Sequence, residues 1–412
     1  MAHQLDGQAA KPALRRTLTL PWLVLYGVGV TVGAGIFALI GEILRLAGDA
    51  APMAFVIAGL IGATTGVSYI LLVRVYPLAG GEAVFVNRGL GPWLGWLAGA
   101  GVGITGIVSS AVIALAFAGY ANSLVVMPQP VLVAAVIVAL AALAIWGVRE
   151  SVMFAAIVTV LEVCTLLVVI AAGLPLLGEL PPPTALMGIN HGWSGFFPVI
   201  FASVITFFAF IGFEDIENMA EETIDPARTA PRAIVWTLAI TMVIYVLLAL
   251  VATAAPGREL IAGSGAPLAT LFEAVTGLDG KPVAVMAAIA MVNGILIQVI
   301  MASRMLYGMA NEGLAPAWFS KINPARRTPI RATLAVSAAI LVLALSFPLI
   351  RLAEATSLVV LLVFTLVNLS LFALGVRNAD PLLHRWRWWG LLGAALCLAI
   401  LGLQAVGDLA AA

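Results

Sequence analysis

Residues 27–41 read GVGVTVGAGIFALIG and lie inside an apolar run, near 19–44, that is long enough to cross a bilayer. Five glycines and one threonine crowd this stretch. Glycine costs about 1 kcal/mol relative to alanine in a helix interior, so the run makes a poor continuous helix. Backbone released from helical hydrogen bonding is tolerated at membrane depth only where protein buries it or where it lines a watery cavity. The spacing therefore predicts an unwound hinge over 31–35, with a second half-helix starting near Gly35. Free N–H groups at that start, at the positive end of the helix dipole, suit a carboxylate. The same glycines also admit close helix packing, since Gly29 and Gly33 form a small-xxx-small pair.

The composition around this stretch excludes an ordinary soluble domain. Hydrophobic residues make up 63% of the chain and charged residues 10%, with a mean hydropathy of +1.12, whereas soluble domains carry roughly 25% charged residues. The chain therefore reads as a polytopic membrane protein. Its net charge of zero offers no basic footprint for nucleic acid. Cys164 and Cys397 fall in apolar runs, and His3, His191 and His384 are isolated. Neither a disulfide framework nor a metal site is expected from that pattern, and nothing calls for a cofactor. The first apolar run is too long for a signal h-region and lacks a small-residue cleavage site after it, so no cleavable signal is expected.

Runs of about twenty apolar residues give eleven expected spans, near 19–44, 52–76, 93–124, 130–147, 152–177, 196–217, 231–255, 282–308, 331–348, 351–376 and 386–407. With the amino terminus inside, 16 of the 20 basic residues fall in cytoplasmic segments, leaving Arg45, Arg258, Lys281 and Arg351 outside. That asymmetry follows the positive-inside rule. It makes residues 1–17, with Lys11, Arg15 and Arg16, a cytoplasmic tail in a protein of the cytoplasmic (inner) membrane. Between the second and third spans, PLAGGEAVFVNRGLGPWLGW at 77–96 is too polar to cross and reads as a short interfacial helix. GVGITG at 101–106 matches the dinucleotide fingerprint by letters only, since it follows no strand and lies at membrane depth.

Polar groups inside the spans are few. Glu162 sits halfway along the fifth run, where an ionisable group costs roughly 2.5 to 3.5 kcal/mol on insertion scales and is a functional candidate. At about 1.5 Å per residue it lies roughly 15 Å deep, level with the hinge. The alternative is a protonated carboxyl fastening helices, although such hydrogen bonds are worth only ~1 kcal/mol. The sixth run, FFPVIFASVITFFAFIGFEDIENMAEE at 196–222, loses its apolar character at Ile211 and Gly212, and Glu214, Asp215, Glu217, Glu221 and Glu222 follow. A solvated helix end accounts for the last two acids better than for Glu214. Asn293 and Gln298 mark the eighth run, and Asn368, in the tenth, reads as packing glue.

The interruptions fall in the first and sixth runs, five spans apart. Interrupted spans in corresponding positions of two halves point to an inverted-repeat secondary transporter with its substrate at the midplane. The repeats would be 18–177 and 178–377, with 378–412 adding one span. In order, GVTVGAGIF (29–37), PLAGGEAVFV (77–86), FFAFIGFED (207–215), EETIDPARTAPRAI (221–234) and SRMLYGMANEGLAP (303–316) complete a pattern that resembles the amino acid-polyamine-organocation transporter family over roughly 17–377. The resemblance implies an all-α, leucine-transporter-like five-plus-five fold with one additional helix, working by alternating access as spans 1, 2, 6 and 7 rock against 3, 4, 8 and 9. It also implies that Thr31, Val32, Gly33, Ala34, Gly35 and Ile36 receive the substrate carboxylate. Carbonyls around Phe208, Ala209, Phe210 and Ile211 would receive its amino group, with Phe208 as an aromatic gate. Where many members place a lysine whose ammonium fills the position of a coupling sodium ion, this chain has Glu162, and by the resemblance that position faces span 1 and Asn293.

The expected function is secondary transport of an amino acid across the lipid bilayer, coupled to protons through Glu162 and Asn293. Phe207, Phe208, Phe210 and Ile36 leave an apolar environment for a neutral side chain of small to medium size. A polyamine or other organic cation is the competing substrate, for which Glu162 and Glu214 are the available acids, and exchange or export is the competing mode. From other classes, a membrane nutrient sensor would want a cytosolic extension where this chain has short tails. An intramembrane enzyme would want a motif such as HExxH or GxSxG, and neither occurs.

Overall fold

The structure, a computed structural model, describes residues 16–78, 80–146, 152–190, 193–311, 313–323 and 328–411. Most of the expected cytoplasmic tail, with Lys11 and Arg15, lies outside the described residues, as do His3, Arg149, His191, Arg326 and Arg327. The described chain is helical: α1 (Leu20–Ala47), α2 (Ala51–Val75), α3 (Gly81–Leu90), α4 (Pro92–Leu124), α5 (Gln129–Trp146), α6 (Val152–Gly173), α7 (Pro183–Leu186), α8 (Trp193–Phe207), α9 (Pro226–Ala254), α10 (Arg258–Gly263), α11 (Pro267–Thr276), α12 (Lys281–Asn311), α13 (Ile330–Ser346), α14 (Leu349–Val376) and α15 (Pro381–Ala411). Among the described residues, strand-like pairing is confined to one isolated bridge between Leu18 and Thr223. In lipid a helix satisfies its own backbone groups, and that is why these apolar runs fold as they do.

Nine helical segments among the described residues are long and apolar enough to cross a membrane. Two shorter apolar helices, Leu20–Gly33 and Ile330–Ser346, accompany them, and one of the nine, Gly35–Val75, runs from the second half of α1 through α2. Proline opens α1, α2, α4, α9 and α11, where its missing N–H would have had no helical partner in any case. The amphipathic segment after α2 forms the short α3, which stops at Gly91.

α1 is the central helix. Val32, Ile36, Phe37, Leu39, Ile40 and Ile43 are fully buried, and α1 packs against α6, α8, α9 and α12. α15 packs on α14 and α2. Asn368 on α14 accepts a hydrogen bond from Ser68 Oγ (2.6 Å), and its amide donates to Thr65 Oγ1 (3.0 Å) and the Phe364 carbonyl (2.9 Å). Fully buried and bonded to α2 in this way, it staples α14 to α2.

Candidate functional site

The two interruptions in the sequence become two breaks in the helices. In α1 the departure is confined to Gly33, whose φ of 14° and ψ of −140° kink the helix, a narrower break than the five residues expected. α8 ends at Phe207, a 3-10 turn covers Phe208–Phe210, Ile211 is extended (φ −64°, ψ 134°), and a second 3-10 segment runs over Phe213–Glu222. Gly212 joins them at φ 124°, a conformation that favours glycine.

The breaks lie against each other. A Cβ at Gly212 would sit 2.9 Å from the Val30 carbonyl carbon and 3.0 Å from the Thr31 nitrogen, and one at Gly35 would sit 2.9 Å from Ala209 Cα. Glycine at both positions lets backbone approach backbone. Polar groups freed by the breaks find partners: Gly212 N–H donates to Glu214 Oε2 (2.8 Å), and the Tyr245 hydroxyl on α9 donates to the carbonyls of Thr31 (2.8 Å) and Ala209 (2.9 Å). Sequence reasoning passed over Tyr245. The available signal was a lone phenol deep in the apolar run 231–255, because a buried Tyr O–H needs an acceptor.

Beside the α1 break lies a cavity of about 180 Å³. Its walls include Trp22, Gly29 and Gly33 from α1, Ala155, Thr159 and Glu162 from α6, Asn293 and Gln298 from α12, and Met219. The fold thus brings Gly33, Glu162 and Asn293 to one cavity, the juxtaposition that the resemblance implied. Glu162 is buried, and its Oε2 has no hydrogen-bond partner; the same holds for the buried oxygens Asn293 Oδ1 and Gln298 Oε1. Buried polar atoms are normally bonded, so three unpartnered acceptors on one cavity mark a place for a ligand or a proton.

The remaining residues singled out from sequence stand behind this wall. Val32, Ile36, Ala209 and Phe210 are fully buried, and Thr31 and Phe208 nearly so; Thr31, Gly35, Phe208 and Ala209 meet at the contact between the breaks, and neither these nor Val32, Ile36, Phe210 and Ile211 line the cavity. The side chain of Ala34 lies outside the described residues. Of the small-xxx-small pair, Gly29 packs closely, because a Cβ there would run into the side chain of Thr159, whereas one on Gly33 would meet nothing within 4 Å.

A second polar group sits nearby. Tyr69 O–H donates to Glu82 Oε1 (3.2 Å), while Glu214, Asp215 and Glu217 are buried around them. Glu82, Glu214, Asp215 and Ile211 border a small cavity of about 30 Å³, and Gln298 borders both cavities. Glu221 and Glu222 are only partly buried, as suits a solvated helix end.

Burial pushes the Glu82 carboxyl, on α3, above its ordinary value near 4.5. An acid raised in the folded state contributes stability that is fully present below the unfolded value and is lost as pH rises through the folded one. The melting temperature in detergent is therefore expected to fall as pH rises above the ordinary carboxylate range, and Glu82→Gln to flatten that slope by a few degrees. Equal slopes for the two proteins would remove Glu82 from the effect.

A bundle of apolar helices in which two broken spans meet beside a mainly apolar cavity that holds one buried carboxyl is the architecture of a multi-pass membrane transporter. The amino acid permease family profile matches residues 17–408, and the chain belongs to that family of transporters. Among similar proteins, an uncharacterized transporter of Mycobacterium tuberculosis is 31% identical over 388 residues, covering 92% of this chain and 85% of that one. The branched-chain amino acid permease BcaP of Bacillus subtilis is 25% identical over 403 residues (90% and 83%), and the methylthioribose transporter of the same organism 27% over 405 (91% and 85%). Two relatives from one organism thus bear different cargo names, and the particular cargo must be argued from the cavity.

Proposed function

We propose that this protein is a secondary transporter of neutral amino acids, coupled to protons through Glu162 and working by alternating access in the cytoplasmic membrane with its amino terminus inside. The observation that carries this reading is the cavity at the Gly33 break, in which mainly apolar walls surround one buried carboxyl with an unpartnered oxygen. The backbone after the break, from Gly33 to Ile36, receives the substrate carboxylate. Carbonyls at 208–211 receive the amino group in the state that exposes them, and Phe208 gates the site. Residues 18–177 and 178–377 are the two inverted repeats. A protonated Glu162 donates a hydrogen bond to a neighbouring acceptor, such as Asn293 Oδ1 or a carbonyl near the hinge, whereas an ionised Glu162 repels the same oxygens. Its charge therefore biases the break, and access from alternate sides lets a proton gradient drive that bias.

The test is competition against labelled leucine uptake in proteoliposomes. Unlabelled alanine, leucine and valine are expected to reduce uptake at least about ten-fold at saturating concentration, and arginine and putrescine to leave it nearly unchanged. One observation favours a second reading. Glu162, Asn293 and Gln298 present three unpartnered acceptors, and no lysine or arginine lines their cavity. An ammonium group has three donors and would match them. Inhibition by arginine or putrescine, with alanine and leucine inert, decides for an organic cation.

A further inference from the structure

Tyr245 is fully buried, and its ring is wedged between Phe55 (centroids 5.7 Å apart) and Phe210 (5.1 Å). The one hydrogen of its hydroxyl is shared by two acceptors, and each belongs to a different break: the Thr31 carbonyl precedes Gly33, and the Ala209 carbonyl precedes the Ile211–Gly212 turn. In an uninterrupted helix these carbonyls would accept the N–H of residues 35 and 213. The breaks interrupt those ladders, and a single side chain from a third helix takes both loose ends. Tyr245 nonetheless does not border the cavity.

We infer that Tyr245 is a positioning residue of the transport cycle: its hydroxyl pins the broken segments of α1 and α8 to one another and so sets the shape of the substrate cavity without touching substrate. Without that O–H, two buried carbonyls lose their donor. The nearest replacement is their own helical partner, so α1 straightens at Gly33 and α8 winds toward Phe213. Straightening displaces Val30 and Gly33, which line the cavity.

A second buried tyrosine provides the control. Tyr120 on α4 also donates to a carbonyl of α1, that of Phe37 (2.8 Å), and accepts the Leu268 N–H (3.1 Å). Phe37 lies beyond the break, in regular helix. Tyr120→Phe and Tyr245→Phe thus remove the same kind of bond from the same helix, and they differ in whether a break depends on it.

Two measurements test the inference. In proteoliposomes, Tyr245→Phe is expected to raise KM for labelled leucine about ten-fold, the order set by buried carbonyls left without a donor. The maximal rate is expected to change much less, and Tyr120→Phe to lower the melting temperature with KM within about two-fold of wild type. This arm rests on the proposed neutral amino acid cargo; the second does not. Ala155→Cys, on the cavity wall, is placed in a Cys164→Ser, Cys397→Ser background and labelled with a charged methanethiosulfonate. Adding Tyr245→Phe is expected to change its labelling rate about ten-fold, and adding Tyr120→Phe to leave it unchanged. If Tyr245→Phe does not fold, Phe55→Leu, which frees the ring but keeps the hydroxyl, is expected to shift labelling in the same direction by about two- to three-fold. Wild type that carries no leucine overturns the cargo reading alone. An unaltered labelling rate, or the same alteration in both tyrosine variants, overturns the role of Tyr245.

Discussion

Proteoliposomes containing Glu162→Gln are expected to take up labelled leucine at one rate whether or not an inward proton gradient is imposed, whereas wild type accelerates with the gradient. One pH unit across the bilayer is about 1.4 kcal/mol per proton, a ten-fold accumulation at one proton per substrate, and the variant should lose all of it. Glutamine has nearly the shape of glutamic acid and keeps an N–H donor for the cavity, but it has no proton to release. Substrate binding and gradient-free exchange should therefore persist, which separates lost coupling from lost folding. The position supports the expectation, because Glu162 is 2% exposed, lines the cavity beside Gly33 and leaves Oε2 without a partner. A carboxyl kept only to fasten helices would have its hydrogen bond made. Full gradient stimulation in Glu162→Gln would move coupling elsewhere and leave Glu162 a structural residue.

Gly35→Leu should abolish substrate binding, with at least about a hundred-fold loss of affinity, in a protein that still inserts and folds. Its Cβ would fall 2.9 Å from Ala209 Cα and 3.5 Å from Phe208 Cδ1. Backbone cannot rotate away as a side-chain tip can, so the substitution drives the two breaks apart. Gly33→Leu should reach the same end by another route. A Cβ there meets nothing within 4 Å, and Gly33 lines the cavity, so the larger side chain occupies space that the substrate needs. Gly33→Ala adds only that unobstructed Cβ and is expected to cost less than about ten-fold. Thermal shift with added leucine reads all three, since a ligand that binds the folded state raises its apparent stability by mass action. Undiminished leucine-dependent stabilisation of folded Gly35→Leu would take the contact between the breaks out of the binding mechanism.

Much of this protein was legible as sequence because the deciding constraint in a bilayer is local. Each backbone N–H must find a carbonyl within its own helix, so an apolar run of sufficient length is a helix, and glycines grouped inside one mark where it fails. GVGVTVGAG placed the first break to within two residues of Gly33, and FFAFIGFED placed the second at Gly212. Counting residues along its run put Glu162 level with the first break, and the two line one cavity. What no local rule supplied was the rotation of each helix about its own axis. A soluble helix declares its inner face by polarity, but α5 is apolar all round after Gln129, and lipid favours no face of it. Rotation is then fixed by side-chain packing between segments far apart in the chain. That packing decided that Gly35 rests on Ala209, that Gln298 borders two cavities, and that Tyr245 reaches the Thr31 carbonyl from 214 residues away.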